Sequence, residues 1–167
     1  MGVEEHRGKA PKSVSYAVIT VSDTRTERDD ISGKAISEIM SAAGHRLMKK
    51  SIVRDIVDDI QRQLRELIED PSVQIVIING GTGISKRDVT LEAVTHFEEK
   101  TLAGFGELFR MLSFKEIGSA AQLSRAIAFV TEGKIVFCLP GSEKAVRLAV
   151  RELIAPEAGH MVWEAQR

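Results

Sequence analysis

With 167 residues, 43% of them apolar, the chain has the size and composition of one domain that buries its own core without disulfides or a structural metal. Lys and Arg number 23 against 24 Asp and Glu, a near balance that gives no electrostatic ground for a general nucleic-acid or membrane-surface binder. The single cysteine rules out a disulfide framework, and no stretch approaches the length of a membrane span.

The residues through Ser13 mix charge with Gly and Pro and lack the apolar core of a signal peptide, so the expectation is a cytoplasmic protein. A flexible arm over 1–13 precedes a single domain over 14–167. Ser15 to Ser22 (SYAVITVS) is short and rich in β-branched residues, as a buried strand is. Apolar residues then recur at Ile31, Ala35, Ile39, Met40 and Ala43, a helical spacing closed by Gly44 as a left-handed cap. Leu47 to Val53 reads as a second strand, and Ile56, Ile60, Leu64, Leu67 and Ile68 trace an amphipathic helix stopped before Pro71. Val73 to Ile78 (VQIVII) is apolar almost throughout, the pattern of a central parallel strand covered on both faces. Thr90 to Phe97 and Glu107 to Glu116 read as helices, and Ala126 to Val130 and Ile135 to Leu139 as strands. Ala145, Val146, Ala149, Val150 and Leu153 mark a last helix, whereas the tail from Pro156, with Trp163, carries no clear pattern. This alternation predicts an α/β domain with an open, mostly parallel sheet and right-handed crossovers.

In such sheets ligands bind beyond the carboxyl ends of the strands. Strand one runs into Ser22-Asp23, strand two into Asp55, the central strand into Gly80-Gly81-Thr82-Gly83, and the last strand into Pro140-Gly141-Ser142. The three glycines permit positive φ and let backbone N–H groups approach a phosphate. Gly141-Ser142 precedes a helix, where the hydroxyl either caps it or meets a ligand. Gly81-Thr82-Gly83 is not completed by a glycine at 86 and the GxxxxGK[ST] spacing is absent, which disfavours a Rossmann dehydrogenase and a P-loop NTPase. Asp55 and Asp88 fall on the same rim; two carboxylates beside a phosphate site suit Mg²⁺, against the alternative of an ordinary helix cap and a solvated first-turn acid. Asp58 and Asp59 are explained by the dipole of their helix, and Lys86 and Arg87 are placed to screen phosphate charge or to be solvated. The four histidines fit no metal-ligand or nucleophile-base spacing, and Cys138, inside an apolar run, reads as a buried hydrophobe.

Thr20-Val21-Ser22-Asp23, Asp30-Ile31-Ser32-Gly33, Gly80-Gly81-Thr82-Gly83, Arg87-Asp88-Val89-Thr90, Gly104-Phe105-Gly106-Glu107 and Leu139-Pro140-Gly141-Ser142 occur in an order that resembles the MoaB/MogA family of molybdenum cofactor biosynthesis. Glu107 to Gly118 looks like the MoaB branch. The resemblance implies a three-layer α/β/α molybdopterin-binding fold, shared with the gephyrin G domain. It also implies Mg²⁺-dependent adenylylation of molybdopterin by ATP with release of pyrophosphate. On that reading Asp55 and Asp88 are the catalytic, metal-holding acids. Ser22, Asp23, Asp30, Gly80, Gly81, Thr82, Gly83, Pro140, Gly141 and Ser142 form the ligand pocket. The resemblance further implies a homotrimer or homohexamer working with other molybdenum cofactor biosynthesis proteins, with no nucleic acid and no membrane. The sequence departs from the commonest family pattern in having Leu91 and Arg54 where proline is frequent. The alternatives are a non-catalytic molybdopterin carrier and an oligomeric scaffold on the same fold.

Overall fold

A computed structural model describes Gly8 and residues 10–167; the remainder of the arm expected over 1–13 lies outside the described residues. In chain order the elements are β1 (Ser15–Val21), α1 (Ile31–Ala42), β2 (Arg46–Val53), α2 (Val57–Glu69), β3 (Ile75–Asn79) and α3 (Thr90–Val94), the last extended by a 3₁₀ turn, Thr95–Phe97. After β4 (Lys100–Thr101) come α4 (Ala103–Ile117), a 3₁₀ segment (Gly118–Leu123), the strands β5 (Ile127–Thr131) and β6 (Lys134–Leu139), and α5 (Glu143–Ala149). A π-helical stretch, Val150–Ile154, continues α5, and α6 (Ala158–Ala165) ends the chain.

The six strands form one sheet in the order β2-β1-β3-β6-β5-β4. Neighbours from β2 to β6 are parallel, and β5 and β4 run antiparallel at the far edge. All five residues of β3 are buried, as expected of a strand with helices over both faces. Tyr16, Val18, Ile75, Ile77 and Phe137 pack against α1, α4, α5 and α6. Ala17, Ile19, Val76, Ile78 and Val136 pack against α2 and α3. The period-two alternation of each strand therefore supplies two cores, and the domain is a three-layer α/β/α fold with a mostly parallel sheet.

Two features go beyond the alternation read from the sequence. β5 and β6 form a hairpin through Glu132 and Gly133, both with positive φ (46° and 71°), the backbone that a tight two-residue connection requires. No helix separates them, so the sheet turns antiparallel there. The patternless tail is helical as α6, with Ala158 and Val162 fully buried and Gly159 lying against the Pro11 carbonyl. Trp163 takes the Arg167 guanidinium over its ring at 5.1 Å, a local contact. Cys138 is fully buried in β6 and its thiol pKa is pushed up by desolvation, which leaves it a small hydrophobe.

Candidate functional site

The chain leaves β1 for β2 on one side and crosses to β3 on the other, so the carboxyl ends of β1 and β3 frame the switch point where open α/β sheets bind ligands. The residues that follow these strands are held close. Gly80 (φ 101°) and Gly81 (φ 66°) are left-handed in succession, and the Gly80 N–H donates to the Leu139 carbonyl at 3.0 Å, joining the ends of β3 and β6. The fully buried Thr90 locks the turn from below. Its hydroxyl donates to the Gly80 carbonyl at 2.8 Å and its N–H to the Gly81 carbonyl at 3.0 Å.

Each of the two predicted catalytic acids flanks this turn. A Cβ on Gly81 would lie 3.2 Å from Asp55 Oδ1, and one on Gly83 would lie 2.7 Å from Asp88 Oδ2. The absence of side chains at 81 and 83 is thus what lets the carboxylates close over the loop. Asp88 is not a helix cap: α3 has no side-chain capping bond, and Asp88 Oδ2 accepts the Ser85 N–H at 2.8 Å inside its own loop. Asp55 and Asp23 hold one another, since the Asp55 N–H donates to Asp23 Oδ1 at 3.1 Å and the Asp55 carboxylate accepts from the Asp23 backbone. Arg87 reaches across to Asp23 Oδ2 at 3.2 Å.

The Asp55 pKa is raised above its ordinary value, first by desolvation and then by the negative charges of Asp23 and Asp88, against the opposing Asp23 N–H and Arg87. A raised folded-state pKa means that the fold favours the protonated acid. The associated stability is present below the unfolded value and is lost as pH rises through the folded one. We therefore expect Asp55→Asn to melt about 2 °C above the wild type at neutral pH, and this gain to vanish near pH 3.5. Thermal unfolding at the two pH values checks it, and an Asp55→Asn protein less stable at pH 7 would show the acid to be structurally required.

The other predicted pocket residues divide into those that face the cleft and those that build the rim. Thr82, Gly83, Asp88, Pro140, Gly141 and Ser142 line a cleft of about 350 Å³, with Gly81 at its edge. Ser142 caps α5, accepting the Ala145 N–H at 3.3 Å, and Gly141 abuts the Gly80 Cα so closely that a Cβ would stand 3.2 Å away. Ser22 folds its own loop by accepting the N–H groups of Thr24 and Arg25. Asp30 is almost wholly buried, where it caps α1 through the Gly33 N–H (2.9 Å), accepts the Thr20 hydroxyl (3.0 Å) and pairs with Lys50 (2.9 Å). Asn79 extends that chain to β3 by donating to Thr20 Oγ1 at 3.0 Å. Asp30 thus ties α1, β1 and β2 together behind the turn. Arg54, at one departure from the family pattern, pairs with Asp59 at 2.9 Å, and Leu91, at the other, packs on the core beneath α3.

Sequence reasoning missed the second wall of the cleft, which comes from the buried Phe109 and Ser113 on α4 and from Ala121, Leu123 and Ser124 beyond it. It also missed Arg125, which grips the glycine loop from outside. Among the described residues no group of three or more His, Cys, Asp or Glu side chains is assembled to hold a metal. A metal at this site would have two flanking carboxylates and would complete its shell from phosphate and water, as Mg²⁺ commonly does.

Residues 17–160 match the family model described as "Probable molybdopterin binding domain". The chain is 49% identical over 168 aligned positions to the molybdenum cofactor biosynthesis protein B of Bacillus cereus, covering 100% of this chain and 99% of that one. A crystal structure of a molybdenum cofactor biosynthesis protein B superposes with a TM-score of 0.91 at 49% identity, covering 95% and 99% of the two chains. The tungsten cofactor synthesizing protein MoaB from Pyrococcus furiosus superposes with a TM-score of 0.86 at 38% identity, covering 95% and 100%. With the fold and nearly the full length of the chain in agreement, the protein belongs to the MoaB/MogA family of molybdenum cofactor biosynthesis proteins.

Proposed function

We propose that the protein is a molybdopterin adenylyltransferase of the cytoplasm, which joins the AMP moiety of ATP to the terminal phosphate of molybdopterin and releases pyrophosphate. The observation that carries this reading is the pair Asp55 and Asp88, closed over opposite ends of the Gly81-Thr82-Gly83 turn. A phosphate oxygen of molybdopterin attacks the α-phosphorus of ATP, the bond from that phosphorus to the bridging oxygen breaks, and pyrophosphate leaves with the electron pair. The turn carries no side chain of its own at Gly80, Gly81 or Gly83, so its backbone can approach the phosphates between the two carboxylates. The cleft walled by Phe109 and Ser113 seats the pterin, and Ser142 closes its far side. Mg²⁺ between the two carboxylates would neutralise the charge that collects on the triphosphate. The raised pKa of Asp55 supports this part of the reading: desolvation first, and then the charges of Asp23 and Asp88, disfavour its carboxylate, which a bound cation would stabilise. Catalysis then consists of alignment and charge neutralisation, with no covalent enzyme intermediate.

The test is pyrophosphate release from ATP. Release that requires both molybdopterin and Mg²⁺ and stops on chelation is expected; tight molybdopterin binding with no release would instead indicate a carrier.

We further propose that the working form is a homo-oligomer. Leu108, Met111, Phe114, Ile117 and Leu123 are each between 47% and 60% exposed and follow one another along α4 and the turn after it. A succession of exposed large apolar residues is characteristic of a contact surface. We expect Phe114→Glu to lower the mass measured by light scattering below that of the wild type; a wild type that is monomeric at micromolar concentration would contradict the assembly.

A further inference from the structure

The loop from Thr82 to Val89 carries Asp88 with no regular secondary structure, and Ile84 at its tip is 70% exposed. Its internal bonds, from the Ser85 N–H to Asp88 Oδ2 and from the Asp88 N–H to the Ser85 carbonyl, fold it into a compact unit. They do not fix that unit relative to the sheet. Two ties to other segments do: Arg87 of the loop pairs with Asp23 beyond β1 at 3.2 Å, and Arg125 holds both ends of the loop. Arg125, just before β5, donates from Nε to the Gly83 carbonyl at 2.8 Å and from Nη2 to the Asp88 carbonyl at 3.1 Å. Its own N–H donates to the Thr82 carbonyl at 3.4 Å, and its guanidinium pairs with Glu92 in the first turn of α3 at 2.5 Å. A single planar group therefore joins the entry of the loop, its exit and the helix that follows.

The guanidinium charge is already answered by Glu92, whose own pKa is lowered chiefly by that hydrogen bond. Arg125 is thus better matched to two carbonyls and a carboxylate than to an incoming anion, and only a rigid fork of donors spans all three. We propose that Arg125 is the positioning residue for Asp88: by clamping both ends of the loop it holds the carboxylate over Gly83, opposite Asp55. Its kinetic consequence rests on the adenylyltransferase reading, whereas its consequence for the loop does not.

The experiment combines hydrogen exchange with kinetics on the full-length protein carrying Arg125→Gln, Arg125→Ala or Glu92→Gln. In Arg125→Gln, amides of residues 83–89 should exchange at least about tenfold faster while β1, β3 and β6 keep their protection. Turnover should fall about 100-fold with little change in KM for molybdopterin, as expected for a misplaced catalytic group. Millimolar guanidinium should restore part of the rate in Arg125→Ala, which loss of general stability would not allow. Glu92→Gln, which leaves the carbonyl contacts in place, should show the same changes in milder form and serves if the arginine variants do not fold. Unchanged exchange in 83–89, or faster exchange with wild-type turnover, would overturn the inference. A wild type with no turnover, alongside faster loop exchange in the variants, would leave the clamp standing and remove the adenylyltransferase reading alone.

Discussion

Replacing Asp88 with Asn is expected to reduce adenylyl transfer by about 10²–10³-fold, the scale of losing one electrostatic contact made to a transition state. Molybdopterin affinity should change little. The two effects separate because Asp88 is one of many residues that line the cleft, most of them uncharged and contributed by α4, the segment after it and the turn at Pro140-Gly141-Ser142. Asparagine keeps an oxygen that can accept the Ser85 N–H, so the loop should stay folded, and the loss should lie in charge. Dissociation constants for molybdopterin, measured by fluorescence beside steady-state rates, distinguish the roles. Equal losses of binding and turnover would mean that Asp88 holds substrate and does not act on the reacting phosphates.

The largest effect on stability is expected at Gly80. Its φ of 101° lies where side chains are strained, and a Cβ there would stand 2.3 Å from the Val21 carbonyl oxygen. The obstruction is backbone, which no rotamer change relieves, and it falls where β1 and β3 part at the switch point. Gly80→Ala should therefore cost about 3 kcal/mol and lower Tm by roughly 10 °C for a domain of this size. Gly104 is the internal comparison: it sits in the first turn of α4 with nothing within 4 Å of the added methyl and no positive φ. Gly104→Ala should be neutral or stabilising by up to about 1 kcal/mol. Scanning calorimetry of the two variants tests the contrast, and equal melting temperatures would show that the close approach at Gly80 relaxes at no cost.

Much of this architecture was legible because burial imposes periods that the sequence cannot hide. The run in β3, the stripe of α2 and the glycine that closes α1 each follow from one physical demand, and Gly44 does adopt φ 87°. The carboxyl-end rule places Asp55, Asp88 and the glycine turn on one rim from the sequence alone. What escaped depended on contacts between distant segments. Arg125 and Gly83 are 42 positions apart, and nothing local to Arg125 marks it as a clamp. The antiparallel pairing of β5 and β6 was signalled only by Glu132-Gly133, a weaker turn signature than Asn-Gly. α6 is short and half exposed, so its apolar face covers too few positions to stand out in Pro156 to Arg167. The burial of Asp30 was hidden as well, because an acid in a polar loop looks the same whether it meets solvent or Thr20 and Lys50.

The adenylyltransferase account is tested most directly by a single-turnover reaction of the protein with molybdopterin, Mg²⁺ and ATP labelled at the α-phosphorus. The account predicts that the label moves onto the pterin as adenylyl-molybdopterin, with one pyrophosphate formed for each label transferred. Label that remains in ATP while molybdopterin is fully bound, or that appears in free AMP or ADP, would contradict it.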